Sequence, residues 1–326
     1  MSMLRVLTSV AMKKIFAFAA AAAMILGVGA CQKEGPIGGR GEECVTSFTV
    51  QLPQAGQTKT VSEAENVDVV YYEIWDKDFA NILGNGYESI YNGRLEKEFV
   101  LVKNQTYNFI FWAQKKSVKD GFQSPYSWEN LKNVNVNYDL FTENNKDCYD
   151  AFYAVAENVV VDGTTKYVYL TRPFAQLNFG ASRMDTSMGS FTIDSNTVTV
   201  KQVATVFDTR AGMASSTNSK LVDVTFVAED GGLVQDERTD HKDLMVGTTN
   251  YYWVSMNYLL VPAEKEANVL VDATFETSLG TVAHSINSVP VQKNYRTNIV
   301  GDIFTNDSKF IIEIVPGFKD SDYIIK

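Results

Sequence analysis

Alternation of apolar and polar residues constrains the fold of this chain more than any other feature of its sequence. In residues 268–277 every second side chain is apolar, so an extended strand there would have one apolar and one polar face. Similar runs are bounded by Gly, Asn, Asp or Pro and are rich in the valine, threonine and aromatic residues that strands favour. They predict antiparallel sheets with one buried face. The apolar positions of these runs are Val70, Tyr72 and Ile74; Tyr107, Phe109, Phe111 and Ala113; Ala175, Leu177 and Phe179; Val222, Val224, Phe226 and Ala228; Val269, Val271, Ala273 and Phe275; and Phe310, Ile312 and Ile314.

The strand-like runs form two groups. Helical periodicity is scarce beyond the N-terminal apolar segment, and strands do not alternate with helices as they do in parallel sheets. A hydrophobic content of 45% excludes a wholly disordered chain, and 326 residues exceed the length of most single cores. The two groups meet at Arg172 and Pro173. We therefore predict an all-β protein of two tandem transthyretin-like/Ig-like β-sandwich domains, residues 44–171 and 172–326.

Residues 1–30 have the pattern of a signal peptide. Lys13 and Lys14 precede an apolar run over 15–26 that is too short to span a membrane, and Met12 is the expected initiator. The small residues that follow end on Cys31. They resemble a bacterial lipobox, in which this cysteine is acylated and becomes the mature N-terminus. The alternative is a plain signal peptide that ends near a cysteine.

Acylation of Cys31 predicts a lipid-anchored protein of the outer membrane, displayed at the cell surface. Residues 31–43 would form the lipidated tether, and the glycines and Pro36 within 35–41 predict that this tether is flexible. Cys44 and Cys148 would then lie in a compartment that permits disulfides, although the sequence gives no distance between them.

The charge balance excludes nucleic acid as a partner. Lysine and arginine contribute 29 residues and the acids 39, which gives a formal net charge of −10. A chain of this charge has no positive field with which to neutralise phosphates.

Few residues offer catalytic or metal-binding chemistry. The two histidines are His241, in a charged stretch, and His284, in an alternating run, and no motif places a nucleophile beside either one. Asp76 and Asp78 have the spacing of calcium-loop ligands, but the glycine and glutamate that complete an EF-hand are missing. The sequence predicts no enzyme activity, no metal and no cofactor. A pair of catalytic carboxylates, as in glycosidases, stays an open alternative, because two such residues can be far apart in a chain.

Two weakly patterned stretches, 115–147 and 210–220, predict long surface loops. Trp128 lies in the first of them and is the tryptophan expected to be exposed, with Tyr126 beside it, as a platform for a sugar ring. Asp150 follows the same stretch and is expected in a polar turn.

Two segments resemble the fimbrillins of the Bacteroidales, which are the subunits of lipoprotein-derived type V pili. They are residues 169–178, YLTRPFAQLN, and residues 289–301, VPVQKNYRTNIVG. With the lipobox and the two acidic β domains, the resemblance covers essentially the whole mature chain. It implies a structural or adhesive pilus subunit. Its partners would be other pilus subunits, the outer membrane through the lipid anchor, and host or bacterial surface glycans or proteins.

The resemblance also implies assembly by strand exchange. In fimbrillins a protease releases the first strand, and a strand of the neighbouring subunit fills the groove, which builds an open head-to-tail filament. Here the first strand would be residues 45–52, and Lys59 is the candidate cleavage residue because the following loop has no arginine. Arg40 precedes that strand, so a cut there is not expected to free a groove. The donor strand would come from 310–325, with its apolar side chains at Phe310, Ile312, Ile314, Tyr323 and Ile325.

Other interpretations stay open. Both end segments would pair within their own chain if the protein were a monomeric lipoprotein, and an uncut subunit would act as an anchor or tip. A surface glycan-binding lipoprotein that does not polymerise would need exposed aromatic side chains such as Trp128, Tyr126 and Trp253. A β-sandwich hydrolase would need a catalytic carboxylate.

Overall fold

The computed structural model describes residues 36–53, 66–116, 122–141, 145, 147–182, 192–228, 243–262, 266–305 and 309–316. Within these ranges no helix combines the length and apolar character that a membrane crossing requires. Several predictions fall outside the described residues and are not addressed by the structure. They are the signal peptide, the lipidated Cys31, the candidate cleavage residue Lys59, His241, and the donor residues Tyr323 and Ile325.

Strands make up nearly all the regular structure of the described residues, which confirms the all-β prediction. The other regular elements in these ranges are two short 3-10 helices, Tyr138–Leu140 and Asp147–Tyr149. The strands are β1 (Glu43–Gln51), β2 (Val69–Trp75), β3 (Ile82–Ser89), β4 (Arg94–Val102), β5 (Thr106–Gln114), β6 (Tyr126–Ser127), β7 (Asn133–Val136), β8 (Ala151–Val160), β9 (Lys166–Tyr169), β10 (Ala175–Ala181), β11 (Ile193–Ala204), β12 (Val206–Asp208), β13 (Met213–Ala214), β14 (Leu221–Ala228), β15 (Asp243–Val246), β16 (Thr249–Leu259), β17 (Glu266–Thr277), β18 (Gly280–Gln292), β19 (Tyr295–Gly301) and β20 (Phe310–Pro316).

The first half of the chain forms a sandwich around a core rich in phenylalanine, the first core. One sheet has the strand order β4-β1-β9 and the facing sheet has the order β3-β2-β5-β8. Neighbouring strands are antiparallel, except that β1 and β9 run parallel. Between the sheets the rings of Phe48, Phe99 and Phe109 lie with their centroids between 4.4 and 5.8 Å apart. Burial of such large side chains is what holds the two sheets together.

The second half forms another sandwich around the second core. Its sheets have the strand orders β15-β16-β10-β19-β20 and β14-β11-β17-β18. The rings of Phe179 on β10 and Phe275 on β17 meet across the gap in an edge-to-face contact at 5.8 Å. The alternating run predicted over residues 268–277 is therefore a strand, and its apolar positions face this core.

A third, smaller sheet combines strands from both halves of the chain. Its order is β13-β12-β7-β6, and β7 of the first half pairs antiparallel with β12 of the second half. Phe207 on β12 packs against Tyr153 of the first sandwich, with the ring centroids 4.6 Å apart. The second core is consequently continuous from the outer face of sheet β3-β2-β5-β8 to the second sandwich. The described residues from Pro36 to Pro316 belong to one compact unit.

The prediction of a long surface loop over 115–147 was wrong for much of its length. This stretch contains β6 and β7, and Leu131, Val134 and Phe141 within it are buried. The strands here are two and four residues long, too short for an alternating pattern to stand out from the polar residues around them.

The expectation of one buried face was wrong for the sheet β3-β2-β5-β8. On β5, Phe109 and Phe111 face the first core, whereas Ile110 and Trp112 face the second core. The intervening positions of this strand are apolar as well, which is the pattern of a strand covered on both sides.

The join between the halves is a buried ion pair. Arg172 and Asp150 are almost completely buried, and two guanidinium nitrogens of Arg172 donate to the carboxylate at 2.6 and 2.8 Å. Burial raises the pKa of the Asp150 carboxyl, and the Arg172 guanidinium opposes that rise. Asp150 therefore lies in the interior and not in the polar turn that was expected. The division into domains at residues 171 and 172 stays a prediction.

Candidate strand-exchange site

The predicted first strand, β1, occupies the centre of its sheet. All nine of its residues pair with β4, and Phe48–Gln51 pair also with β9. Removal of β1 would leave β4 and β9 without a common neighbour, with a groove open to the first core. Another extended segment could pair with both β4 and β9 in such a groove.

The inward side chains of β1 are Thr46, Phe48 and Val50, all fully buried. Phe48 lies against a cluster of rings, including Phe109 at 4.4 Å and Phe111 at 5.9 Å. Thr46 fits less well, since its Oγ1 has no hydrogen-bond partner among the described residues. A buried hydroxyl that lacks a partner costs about 1–3 kcal/mol. Two of the three inward positions of β1 are therefore apolar, and the third carries a buried hydroxyl.

The predicted donor, β20, lies at the edge of the second sandwich. It pairs with β19 along its whole length, and the register sets Phe310, Ile312 and Ile314 on one face, opposite Gly301, Ile299 and Thr297. Phe310 packs against the second core, whereas Ile312 on the same face is 37% exposed and Ile311 on the opposite face is 56% exposed. In the described residues β20 has β19 as its one neighbouring strand. β20 is therefore a partly exposed edge strand, and its second edge pairs with no strand in the described residues.

The segment Pro36–Glu42 before β1, which we call the strap, is attached to the first sandwich. The N–H of Ile37 donates to the carbonyl of Val100 at 2.9 Å, and the Tyr107 hydroxyl donates to the carbonyl of Ile37 at 2.8 Å. Ile37 forms a parallel bridge with Leu101, on the edge of β4 that faces away from β1.

The side chain of Ile37 closes the open side of the first sandwich. A Cβ on Gly84 of β3 would lie 3.5 Å from Ile37 Cδ1 and 3.6 Å from Ile74 Cδ1. Gly38 has a φ of +100°, and a Cβ there would overlap the Tyr107 hydroxyl. The expectation of a flexible tether over 35–41 was therefore wrong at Ile37, because one isoleucine among glycines gives no periodic signal.

The two candidate ligand-contact residues, Tyr126 and Trp128, differ in their burial and contacts. Tyr126 is buried, its hydroxyl donates to the carbonyl of Tyr149, and its ring stacks on Phe174 at 5.6 Å, so it is not an exposed platform. Trp128 is half-buried and contacts Tyr71 edge-to-face at 5.0 Å. Tyr71 in turn lies 5.7 Å from the more exposed Tyr87.

Among the described residues, no group of three or more His, Cys, Asp or Glu side chains is placed to hold a metal ion. His284 meets the carbonyl of Ile303 at 2.7 Å, and Asp76 accepts the backbone N–H groups of Ala80 and Asn81 in a turn. Cys44 and Cys148 are not joined by a disulfide.

Glu73 on β2 is an ionisable group that sequence analysis did not single out. Its carboxylate accepts from Trp75 Nε1 at 3.1 Å and from the backbone of Leu131 at 2.9 Å. Burial raises the pKa of Glu73 although these bonds lower it. The residue holds the chain ahead of β7 against the first sandwich, which is a structural role.

The chain is similar to solved structures of proteins from the Bacteroidales. A candidate cell adhesion protein from Bacteroides ovatus is 11% identical with a TM-score of 0.50, and the match covers 86% of this chain and 100% of that one. The tip fimbrial protein Mfa3 from Porphyromonas gingivalis, solved with a C-terminal truncation, is 11% identical with a TM-score of 0.47 over 84% of this chain and 100% of that one. A fimbrial assembly protein from Parabacteroides distasonis is 8% identical with a TM-score of 0.45 over 84% and 99% of the two chains.

Comparison of the sequence itself gave a single family match. No curated protein matches this chain. One family model, described as a family of unknown function, DUF6562, matches residues 38–325. That range runs from the strap through both sandwiches, and the chain therefore belongs to the DUF6562 family.

Proposed function

We propose that this protein is a non-enzymatic fimbrial subunit, structural or adhesive, that assembles head-to-tail by β-strand donation at the cell surface. The observation that carries the proposal is the complementarity of its two ends. The central strand β1 fills an apolar groove, and the edge strand β20 carries an uninterrupted apolar face at the same two-residue spacing.

An incoming strand would restore the side-chain burial that β1 provides in the groove. An incoming strand with Phe310, Ile312 and Ile314 would place apolar groups at the positions of Thr46, Phe48 and Val50. Each fully buried apolar side chain contributes about 1.5–3 kcal/mol, and the buried Thr46 hydroxyl would be removed. The backbone groups of β4 and β9 would regain their partners from the new strand.

The outgoing strand needs a covalent cut before it can leave, because it is held on both edges. The candidate cut is at Lys59, in the segment between β1 and β2. The lipid on Cys31 would hold the precursor at the outer membrane until that cut is made. An uncut copy would keep its lipid and terminate the polymer as an anchor.

Support from known proteins is at the level of the fold. The Bacteroides ovatus protein that shares the fold is described as a candidate cell adhesion protein. An adhesive role at the surface fits a chain that is acidic and built from β-sandwiches.

N-terminal sequencing of protein sheared from cells tests processing. A start near Thr60 is expected for a polymerised subunit. A blocked, acylated Cys31 in all sheared material would contradict cleavage at Lys59.

A matched pair of variants tests the donor strand. Ile312→Asp places a charge on the face that would enter the groove, and it should abolish the high-molecular-weight ladders. Glu313→Gln, one residue further on the opposite face, is the control and should leave them intact. Ladders that persist with Ile312→Asp would show that β20 is not the donor.

A glycan-binding lipoprotein is the second candidate, favoured by one observation. Trp128, Tyr71 and Tyr87 form a continuous row of rings at 5.0 and 5.7 Å, and Tyr87 is 54% exposed. Such rings offer apolar faces to sugars together with polar edges. Selective binding on a glycan array that is lost with Trp128→Ala, in protein that forms no ladders, would favour this function over the first.

A further inference from the structure

A lysine borders the row of rings formed by Trp128, Tyr71 and Tyr87, which we call the ring row. We propose that Lys116 and the ring row together bind a glycan that carries an anionic sugar, with the rings against the sugar and the ammonium group against its carboxylate or sulfate. This inference rests on glycan binding, the second candidate function above, and it names the class of sugar.

The fold positions the ring row before any ligand binds. Tyr71 lies on β2, which pairs with β3 on one edge and with β5 on the other, and its partner in the register with β3 is Tyr87. Tyr71 and Trp128 are half-buried and pack against the second core. Tyr87 is more than half exposed and forms the open end of the row. Because two of the three rings are already packed, a ligand that stacks on them orders few side chains.

Lys116 lies over the open end of the ring row. Its Nζ is 4.0 Å from the centroid of the Tyr87 ring, close enough for a cation–π contact. Its backbone N–H donates to the Asp68 carboxylate at 2.7 Å, two residues after the end of β5. Lys116 is exposed, and among the described residues its ammonium group makes no ion pair or hydrogen bond. Its three N–H donors can therefore bond to a ligand.

The ring row adds further donors. The indole N–H of Trp128 and the hydroxyls of Tyr71 and Tyr87 have no hydrogen-bond partner in the part of the chain that the structure describes. An ammonium group and an indole N–H can only donate, whereas a hydroxyl can donate and accept. A ligand that satisfies this set needs more acceptors than donors, and a carboxylate or sulfate group on a sugar supplies them.

The acids near the ring row have other partners or are exposed. Asp68 accepts the backbone N–H of Lys116, and Glu88 forms an ion pair with Lys97. Glu129 is exposed to solvent, where salt screens its charge. The whole chain has a formal net charge of −10, so an anion is attracted here by Lys116 and not by a general positive field.

An anionic sugar is the ligand that uses both parts of the site. An inorganic anion would contact Lys116 and leave the rings uncovered. A neutral sugar would cover the rings and leave the ammonium group without a partner. Aromatic side chains with a polar edge offer a sugar an apolar face together with hydrogen-bonding groups, and the lysine adds the charge.

A glycan array with matched sugars tests the inference on the full chain extracted in detergent. Each glycan is present in a neutral, a sialylated and a sulfated form, so that carboxylate and sulfate are compared on one backbone. At least one anionic form should bind about 5-fold more tightly than the neutral form. The arm that binds identifies the anionic group. Equal binding of all three forms, or a preference for the neutral form, would overturn the inference.

Two lysine variants that change the net charge equally test the role of Lys116. Lys116→Gln should remove the preference for the anionic form, a loss of about 5-fold, and Lys116→Arg should restore it. Lys115→Gln is the matched control, because that ammonium group lies 4.9 Å from the ring centroid of Phe122, which is outside the ring row. It should change binding by less than about 2-fold. Equal losses from Lys116→Gln and Lys115→Gln would show a general charge effect and overturn the site.

Ring variants distinguish a sugar from other anionic partners. Binding of the anionic glycan should be lost with Trp128→Ala as well as with Lys116→Gln. Tyr87→Ala, which alters an exposed ring, should also weaken binding and keeps the test valid where Trp128→Ala disturbs the core. An acidic peptide that binds the wild type, and that loses affinity with Lys116→Gln but with neither ring variant, would assign the site to a protein partner and overturn the inference.

The outcomes separate this inference from the glycan-binding function itself. A glycan that binds equally in its neutral and anionic forms, and whose binding is lost with Trp128→Ala, would refute the anionic site and leave glycan binding intact. Absence of binding to every form would refute both.

Discussion

The strands at the two ends of the described chain, β1 and β20, differ in how they are held. β1 pairs on both edges and buries three side chains in the first core, whereas β20 pairs on one edge and leaves Ile311 and Ile312 partly in solvent. The strands have similar lengths, nine and seven residues, and β20 is the more apolar of the two. The deeper burial of β1 therefore arises from its central position in a sheet and not from a more apolar composition.

Because β1 pairs on two edges and β20 on one, we expect the two strands to have complementary roles. An edge strand with one ladder can detach in a local opening, at a cost well below that of global unfolding. A central strand cannot leave without exposing the first core. We expect β20 to exchange spontaneously, and β1 to leave after proteolysis.

The largest contrast is expected from truncating one apolar side chain in each strand. Phe48→Ala should lower the free energy of unfolding by about 3–5 kcal/mol, because it opens a cavity among closely packed rings. Ile312→Ala should lower it by about 1 kcal/mol or less, because that side chain is already partly exposed. Urea denaturation of the monomer measures both values. Equal losses would contradict the asymmetry between the strands.

A smaller loss in the free energy of unfolding is expected at the strap, which precedes β1. Tyr107→Phe deletes the hydroxyl that accepts from the Val102 N–H and donates to the Ile37 carbonyl, and should lower the free energy of unfolding by about 1 kcal/mol. Tyr87→Phe, on an exposed ring of the same sandwich, is the control. A loss of stability equal to that of the control, by urea denaturation, would show that this hydroxyl does not hold the strap.

The smallest change in stability is expected from Glu73, which makes the stability of the first sandwich depend on pH. Because burial raises the pKa of Glu73, the folded state binds more protons than the unfolded state above the ordinary value of 4.5. Its contribution to stability is present below pH 4.5 and is lost as the pH rises through the raised value. Glu73→Gln should therefore gain stability relative to the wild type between pH 4.5 and 7, by urea midpoints. A constant difference over this range would contradict the raised pKa.

The alternating runs were sufficient to predict the fold class. The runs over 107–113 and 268–277 are strands, because apolar residues at every second position can share a core in no other regular structure. The same runs identified β20 as a strand with one apolar face. They did not reveal that β1 is central and β20 peripheral, since the order of strands in a sheet depends on contacts between distant segments.

The features that the sequence analysis missed depend on single residues. Arg172 was noted as part of a join, yet nothing local indicates that it is buried against Asp150, 22 positions earlier in the chain. Ile37 was assigned to a flexible tether because one apolar residue among glycines has no period. Tyr126 was assigned to an exposed platform because it lies near Asn, Ser and Lys residues, although its ring contacts Trp112 and Phe174.

Amide hydrogen exchange of β20 in the monomer and in sheared polymer tests the central claim most directly. In the monomer the amides of residues 310–315 should exchange through local opening, much faster than those of β1. In the polymer the β1 signals should be absent and the amides of 310–315 should become as protected as the core strands. Identical protection of these residues in monomer and polymer would contradict strand donation.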